Sequence, residues 1–112
     1  SYIRRISQID GVSSLFQNLD KNRKPAYHIF PVLLDEGIDR KTVMQSMKNR
    51  GVQTSIHYRP VHTFTAYGSL QADKKLPITN KLKDRILTLP LFPAMTEKMI
   101  DFVTESLRLS LC

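Results

Sequence analysis

The chain has 112 residues and a formal net charge of +7, with 41% apolar and 24% charged residues. This composition fits one globular domain and excludes a disordered, collagen-like or low-complexity chain. The single cysteine, Cys112, excludes an internal disulfide and a cysteine-based zinc site, and it favours a reducing, cytoplasmic compartment. The sequence shows no signal-peptide pattern, and no apolar stretch approaches the ~20 residues that span a bilayer.

The positive charge permits binding to nucleic acid, phosphorylated ligands or anionic membranes. The basic residues are scattered, and groups such as Arg4-Arg5 and Lys21 to Lys24 are not interleaved with aromatic residues. Scattered basic residues are typical of a solvated surface and show no RNA-binding signature. A basic nucleic-acid-binding module is kept as an alternative interpretation because of the net charge alone.

Two strands are predicted in the first third of the chain. A turn at Asp10-Gly11 precedes a short predicted strand over Val12 to Phe16. Tyr27 to Leu34 is apolar on both faces, which suits a strand that is covered on both sides. Pro31 cannot donate a hydrogen bond to a neighbouring strand, so we expect the sheet to be open or bulged beside it.

A helix is predicted next, from an Asp39 N-cap to about Arg50. Gly51 lies where a helix commonly needs a residue of left-handed conformation. The helix has an apolar stripe, formed by Val43, Met44 and Met47.

A third strand is predicted over Val52 to Tyr58, where side chains alternate between two faces. If Ile56 points into the core, His57 points away from it. The following stretch from Arg59 to Pro77 has no regular period, and a loop of that length is usually functional or carries a short helix. We expect Phe64 and Tyr67 to attach it to the rest of the domain.

The last third predicts a helix, a strand and a helix. Thr79 is the expected cap of the first helix, and Leu87 to Phe92 alternates as a strand. Thr96 is the expected cap of the last helix. Two apolar stripes are predicted: Ile78, Leu82 and Ile86 for the first helix, and Ile100, Val103, Leu107 and Leu111 for the last.

This order of elements predicts an α+β two-layer sandwich, with a small, mainly antiparallel sheet and helices on one of its faces. The start of the chain reads like the end of a helix, so we expect the chain to be a piece of something longer.

Chemistry-bearing residues are densest between Ile56 and His62, at the predicted exit of the third strand. His57 and His62 are five residues apart and can act as metal ligands or as an acid and a base. Alternatively, Tyr58 and Arg59 contact a ligand there, with Arg59 facing an anion. A purely structural role, with His57 ending the strand and Arg59 solvated, is equally compatible with the spacing. Because the sequence has no Gly-rich phosphate loop and no nucleophile in a recognisable turn, no complete active site is predicted.

Four segments in this order resemble one protein family. They are Tyr27–Val32 (YHIFPV), Met47–Val52 (MKNRGV), Ser55–His62 (SIHYRPVH) and Arg85–Thr96 (RILTLPLFPAMT). From Ile9 to Leu111 the chain resembles the C-terminal small domain of the DegT/DnrJ/EryC1/StrS aminotransferases, which are pyridoxal-phosphate-dependent sugar aminotransferases of fold type I. The resemblance implies that residues 1–8 are the end of a linking helix from a missing large domain and that residues 9–112 are the C-terminal small domain.

The resemblance implies an activity that this chain performs only as part of a longer enzyme. In the family, a large N-terminal domain holds the cofactor as a Schiff base with a lysine, and an acidic residue pairs with the pyridine nitrogen. An amino donor, often glutamate, supplies the amine that passes to a keto sugar carried on a nucleotide diphosphate. None of the nine lysines of this chain is therefore assigned to the Schiff base, and the isolated chain is expected to be inactive. Members are typically homodimers.

The resemblance also implies a substrate-binding role for four residues. His57 and Tyr58 match the family's His-Tyr pair on the substrate side of the cleft, and His62 matches a later histidine of the same loop. Arg59 stands where many members have another residue, including proline, and its guanidinium can face a diphosphate. Ser55 stands directly before the Ile-His-Tyr segment, at a position where members of the family often have a glycine. A non-catalytic regulatory member that keeps the fold without the lysine is a further alternative.

Overall fold

A computed structural model of the chain describes residues 1–70 and 75–112. The described residues form seven α-helices and strands, in the order α1 (Tyr2–Ile6), β1 (Val12–Ser14), β2 (Phe30–Leu34), α2 (Arg40–Asn49), α3 (Pro77–Leu82), β3 (Ile86–Leu89) and α4 (Glu97–Ser110). Between α2 and α3, the described residues include the 3₁₀ helices Val61–Thr63 and Thr65–Leu70.

The three strands of the described residues form one antiparallel sheet, with β2 between β1 and β3. Val12 pairs with Leu34, and Val32 pairs with Leu87, so these side chains share one face of the sheet. That face packs against buried residues of α1, α2 and α4: Tyr2, Ile6, Val43, Met47, Val103 and Leu107. The prediction of an α+β two-layer fold is confirmed.

Pro31 lies in the central strand without breaking either pairing. The Leu34 amide donates to the Arg85 carbonyl at 3.0 Å, which fixes the alternation of hydrogen bonds along β2. By that alternation the nitrogen of Pro31 faces the β1 side, where β1 has already ended at Ser14. Pro31 therefore costs the sheet no hydrogen bond. This agrees with the expectation that the sheet is open beside Pro31.

The helix caps agree with the sequence in two of three cases. The Asp39 carboxylate accepts a hydrogen bond from the Thr42 amide at 3.0 Å, and the Thr96 hydroxyl accepts one from the Met99 amide at 3.3 Å. Gly51 follows α2 with a φ of +83°. The predicted Thr79 cap is wrong, because the N-cap of α3 is Leu76, three residues earlier. The helix begins at Pro77, a position whose N–H has no partner in the first turn of a helix.

The predicted strand bounds were too generous. β1 ends at Ser14 rather than Phe16, and β3 covers Ile86–Leu89 rather than Leu87 to Phe92. β2 begins only at Phe30, because Tyr27 has a φ of +52°, outside the extended region. The predicted Ile78 stripe is also wrong, since Ile78 is 73% exposed and Ile86 belongs to β3.

The predicted strand over Val52 to Tyr58 is wrong, because only Ser55 pairs with the sheet, opposite Thr88 of β3. Continuing the same register would set Gln53 opposite Pro90, which has no N–H to donate. In the other direction it would set His57 opposite Ile86.

The Ile86 carbonyl is already occupied at that position, because it accepts a hydrogen bond from Arg40 Nη1 at 3.0 Å. The ladder therefore stops on both sides of Ser55. Ile56 is exposed instead of reaching the core.

The loop from Arg59 to Pro77 contains the two 3₁₀ helices in its described part, while residues 71–74 lie outside the described residues. Phe64 and Tyr67 are exposed, so the expectation that they attach this loop to the domain is wrong.

No helix among the described residues is long and apolar enough to cross a membrane.

The first helix packs as part of the same core. Tyr2 and Ile6 are buried, and the Tyr2 hydroxyl donates to the Pro90 carbonyl at 2.7 Å. Arg5 forms ion pairs with Glu97 and Asp101 at the start of α4. The assignment of residues 1–8 to a linking helix stays a prediction.

Candidate functional site

A surface groove of about 360 Å³ opens where the chain leaves the sheet after Ser55. Its walls come from three separate parts of the sequence: the start of α2, the segment between Ile56 and Thr63, and the end of α3. The lining residues are Arg40, Ile56, Arg59, Thr63, Lys83 and Asp84.

Arg40 joins two of these parts. As the first residue of α2 it places a cation at the positive end of the helix dipole, which is unfavourable unless the side chain finds acceptors elsewhere. Its Nη1 donates to the carbonyls of Lys83 at 2.6 Å and Ile86 at 3.0 Å, and Nη2 lies 3.9 Å from the Asp84 carboxylate. Arg40 Nε is buried and has no partner within the described residues. The guanidinium thus holds the α3–β3 turn against α2.

Arg59 is held by its own turn of 3₁₀ helix. Its Nε donates to the Thr63 hydroxyl at 3.1 Å, and its Nη2 donates to the Thr63 carbonyl at 3.4 Å. The Thr63 hydroxyl in turn donates to the Pro60 carbonyl at 2.7 Å. The guanidinium carbon also lies 5.9 Å from the centre of the Phe64 ring, within the range of a cation–π contact. These contacts orient Arg59 while leaving it at the surface.

His57 and Tyr58 form a separate pair beside the groove. Their rings meet edge to face with centres 5.0 Å apart, and the peptide bond between them is cis. His57 Nδ1 lies 3.4 Å from the Ser55 hydroxyl. Tyr58 is 78% exposed, so its ring and hydroxyl are available to a ligand.

His62 points to another part of the molecule. Its Nε2 lies 2.9 Å from Oδ1 of Asn80 in α3, so this contact joins the first 3₁₀ helix to α3. Of the four residues predicted to bind substrate, only Arg59 lines the groove as described; His57 and Tyr58 contact each other, and His62 contacts α3. Over residues 1–70 and 75–112, no group of three or more His, Cys, Asp or Glu side chains is placed to hold a metal ion.

A single carboxylate, Glu36, pairs with two of the cations near the end of α3. Glu36 Oε1 lies 3.1 Å from the Lys81 ammonium and 3.4 Å from Arg85 Nη1. The hydrogen bond from Lys81 and the two positive charges lower the pKa of Glu36. Arg85 also donates from Nε to the Leu34 carbonyl at 2.7 Å. Arg85 therefore ties the start of β3 to the end of β2, whereas Lys81 makes a surface ion pair with Glu36.

Most of the groove could not be found from sequence patterns. Arg40, Lys83 and Asp84 come from segments that contain no recognisable motif, and their proximity depends on the packing of α2 against the α3–β3 turn. One local signal was available: a basic residue directly after the Asp39 cap is disfavoured by the helix dipole, which suggests that Arg40 has a partner elsewhere.

The described lysines do not form a Schiff-base site. They lie at the surface, and the least exposed of them, Lys83, borders the open groove. A lysine that carries a pyridoxal ring needs a cavity that encloses the ring and desolvates the amine. The described residues therefore do not fit pyridoxal phosphate by themselves.

Comparison with known proteins gives one family and a consistent set of structures. The model of the DegT/DnrJ/EryC1/StrS aminotransferase family matches residues 1–108. The chain is 26% identical to the aminotransferase TlmJ from Streptoalloteichus hindustanus, with a TM-score of 0.76 over 98% of this chain and 29% of that one. It is 25% identical to the sugar aminotransferase CalS13 from Micromonospora echinospora, with a TM-score of 0.80 over 96% of this chain and 27% of that one.

The PLP-form of Spr1654 from Streptococcus pneumoniae shares the fold, with a TM-score of 0.81 at 20% identity over 97% of this chain and 29% of that one. The chain thus spans less than a third of the length of each of these solved structures.

Proposed function

The chain belongs to the DegT/DnrJ/EryC1/StrS aminotransferase family, and we propose from that membership that it is the C-terminal small domain of a pyridoxal-phosphate-dependent aminotransferase. The observation that carries the proposal is the family match over residues 1–108, nearly the whole chain. The surface position of the described lysines supports the assignment of the cofactor and its Schiff-base lysine to another part of the polypeptide. The 112-residue chain alone is then inactive.

The substrate proposed for the whole enzyme is a keto sugar linked to a nucleotide, which receives an amino group from a donor such as glutamate. CalS13 is a sugar aminotransferase, and its 25% identity over 96% of this chain supports this substrate class. We also propose a homodimer in the cytoplasm, in line with the reducing compartment expected from a single cysteine.

In this proposal the small domain forms one wall of the substrate cleft. Tyr58 is the exposed contact for the sugar or the nucleotide, and His57 positions it through their edge-to-face ring contact. Arg59 faces the negative charge of the substrate, and His62 fixes the loop against α3 through Asn80. None of these residues moves a proton in the reaction that we propose.

The first experiment is the visible absorption spectrum of the longest native polypeptide that contains this chain, before and after borohydride. We expect a yellow Schiff-base band that disappears on reduction, and no such band from residues 1–112 mixed with pyridoxal phosphate. A native polypeptide that stays colourless with added pyridoxal phosphate would contradict the enzyme and favour a non-catalytic regulatory member.

The proposed role of Tyr58 is tested by kinetics. Tyr58→Ala should raise the KM for the nucleotide sugar about 10-fold, because it removes a contact made by both the ground state and the transition state. The KM for the amino donor should change little. Tyr27→Ala, at a second exposed tyrosine outside the groove and the His57-Tyr58 pair, is the matched control. Equal effects of the two substitutions would argue against a substrate contact at Tyr58.

A further inference from the structure

The edge of β3 that faces away from β2 has a backbone acceptor in line with the segment after Ser55. Ser55 and Thr88 exchange two backbone hydrogen bonds across this edge, at 3.1 and 2.8 Å. In the same register, the next pair of residues that can do so is His57 with Ile86. The Ile86 carbonyl is therefore the group to which the chain would bond if the ladder continued.

Arg40 occupies that acceptor. Its Nη1 donates to the Ile86 carbonyl at 3.0 Å and to the Lys83 carbonyl at 2.6 Å. The amide of His57 would have to lie about 2.9 Å from the same oxygen, beside the guanidinium that now holds it. Hydrogen bonds from a guanidinium are charge-assisted and stronger than those from a neutral amide, so Arg40 is favoured in this competition. Within the described part of the chain, the His57 amide has no acceptor, which agrees with that outcome.

The position of Tyr58 depends on this competition. If the ladder continued through His57, Tyr58 would lie along the sheet edge, opposite Arg85. In the structure the chain turns away after Ser55 instead, and Tyr58 is 78% exposed. The guanidinium of Arg40 thus separates a short bridge with an exposed tyrosine from a longer strand that would hold the tyrosine against the edge.

Arg40 is held in this place at a cost to stability. It stands at the first residue of α2, where the helix dipole disfavours a cation. Its side chain is only 15% exposed, and its Nε is buried without a partner among the described residues. A buried N–H group without an acceptor is unfavourable. Residues that break such rules are commonly found where function requires them.

We propose that Arg40 is a positioning residue for substrate binding: by occupying the Ile86 carbonyl it ends the sheet at Ser55 and presents Tyr58 to the substrate. The inference rests on the proposed function, in which Tyr58 contacts the nucleotide-linked sugar. Arg40 acts through Tyr58 and makes no contact with the substrate.

The test combines backbone hydrogen exchange with steady-state kinetics of the native polypeptide that contains this chain. Arg40→Met removes the donors and keeps an unbranched side chain. We expect the His57 amide to exchange about 10-fold or more slowly in this variant, because it gains the Ile86 carbonyl as an acceptor. We expect the KM for the nucleotide-linked keto sugar to rise about 10-fold with kcat nearly unchanged, as for the loss of a binding contact. Unchanged exchange or unchanged KM would overturn the inference.

A double variant separates positioning from direct contact with the substrate. If Arg40 acts through Tyr58, Arg40→Met combined with Tyr58→Ala should raise KM by the same factor as Tyr58→Ala alone, about 10-fold. Two independent contacts would multiply to about 100-fold, and that result would refute a positioning role.

Arg85→Met is the matched control. It is the same substitution at an arginine of similar side-chain exposure, 18% against 15%, and Arg85 also donates to a backbone carbonyl, that of Leu34. Because this carbonyl belongs to β2, we expect a loss of stability with no change in the exchange of His57 or in KM. Equal changes in the two variants would reveal a general effect of destabilisation and would overturn the inference.

Thermal melts establish whether each variant is folded. If Arg40→Met does not fold, the exchange of His57 in the unmodified protein still bears on the inference. Rapid exchange supports it, since the amide is then free while Arg40 holds the carbonyl. Slow exchange would mean that the amide already has an acceptor, which contradicts the competition.

Failure of this inference is distinguishable from failure of the proposed function. The function depends on the borohydride-sensitive band, whereas the exchange of His57 is measured without substrate or amino donor. A polypeptide that shows the band but has the same His57 exchange with and without Arg40 would keep the function and lose the positioning role. A colourless polypeptide in which Arg40→Met slows that exchange would lose the function and keep the control of the sheet edge by Arg40.

Discussion

Asp39 combines a structural role with a dependence on pH. Its carboxylate accepts hydrogen bonds from the Thr42 hydroxyl at 2.5 Å and from the Thr42 amide at 3.0 Å. Those hydrogen bonds, led by the one from the hydroxyl, hold the pKa of Asp39 below its ordinary value of 3.8. Because the charged form is favoured in the folded state, Asp39 stabilises the fold above the unfolded pKa, and this contribution is lost as the pH falls through the folded pKa.

Replacement of Asp39 by Asn should therefore lower the melting temperature at pH 7 by a few degrees, with the difference from the unmodified protein closing toward pH 2. Asn keeps a capping oxygen but does not titrate. Thr42→Val is the complementary variant, because it leaves the carboxylate and removes its hydroxyl donor. Melting curves between pH 2 and 7 measure both effects. A difference between Asp39→Asn and the unmodified protein that stays constant over this range would refute the proposed linkage.

At the scale of single elements, the end of α2 depends on the backbone of Gly51. Its φ is +83°, and a Cβ built there would meet no atom within 4 Å. A larger residue is therefore penalised by the left-handed conformation alone and not by a clash. Because Gly51 is exposed, a substitution there measures the backbone cost without a packing cost.

Gly51→Ala should reduce the free energy of unfolding by about 1–2 kcal/mol, the cost of a left-handed alanine. Gly51→Asn should cost less, because Asn tolerates this conformation better than other non-glycine residues. Urea denaturation of the two variants measures the difference. If alanine were as stable as glycine here, the left-handed end of α2 would not be required in solution.

The edge of the sheet beyond β3 shows how an element is limited by its neighbours. Ser55 makes both hydrogen bonds of a bridge with Thr88, at 3.1 and 2.8 Å. Pro90 on one side and the carbonyl of Ile86, taken by Arg40, on the other prevent extension. The segment after Ser55 is thereby directed away from the sheet, and this is the segment that carries the candidate substrate contacts.

At the scale of the whole molecule, stability depends on one core shared by the sheet and three helices of the described chain. Leu107 of α4 is fully buried in it, whereas Leu109, two residues further along the same helix, is 37% exposed. Leu107→Ala should therefore cost about 2–5 kcal/mol, because it removes buried methyl groups and leaves a cavity. Leu109→Ala should change the stability by about 0.5 kcal/mol or less.

Chemical denaturation of these two variants is a matched comparison, since helix, substitution and side chain are the same. Similar losses at both positions would mean that α4 is not packed as described. The comparison also provides a check on the relation of α4 to the sheet that is independent of any activity.

The sequence by itself determined the elements whose signals are local. Asp39, Thr96 and Gly51 act within one helical turn, so their caps and ends could be predicted from neighbouring residues alone. The segments around Ser55–His62 and Arg85–Thr96 likewise indicated the family through their residues and their order along the chain, and the family match over residues 1–108 confirms it.

Only the tertiary structure decided where the strands end and which side chains meet. Alternation predicted a strand over Val52 to Tyr58, but the hydrogen bonds that would continue it depend on Pro90 and on Arg40, which is 46 residues from Ile86. The groove is formed in the same way, since Arg40, Arg59 and Lys83 belong to three separate segments. Local patterns carry no information about such contacts, because they form only when α2 packs against the α3–β3 turn and the chain after Ser55 is turned away from the sheet.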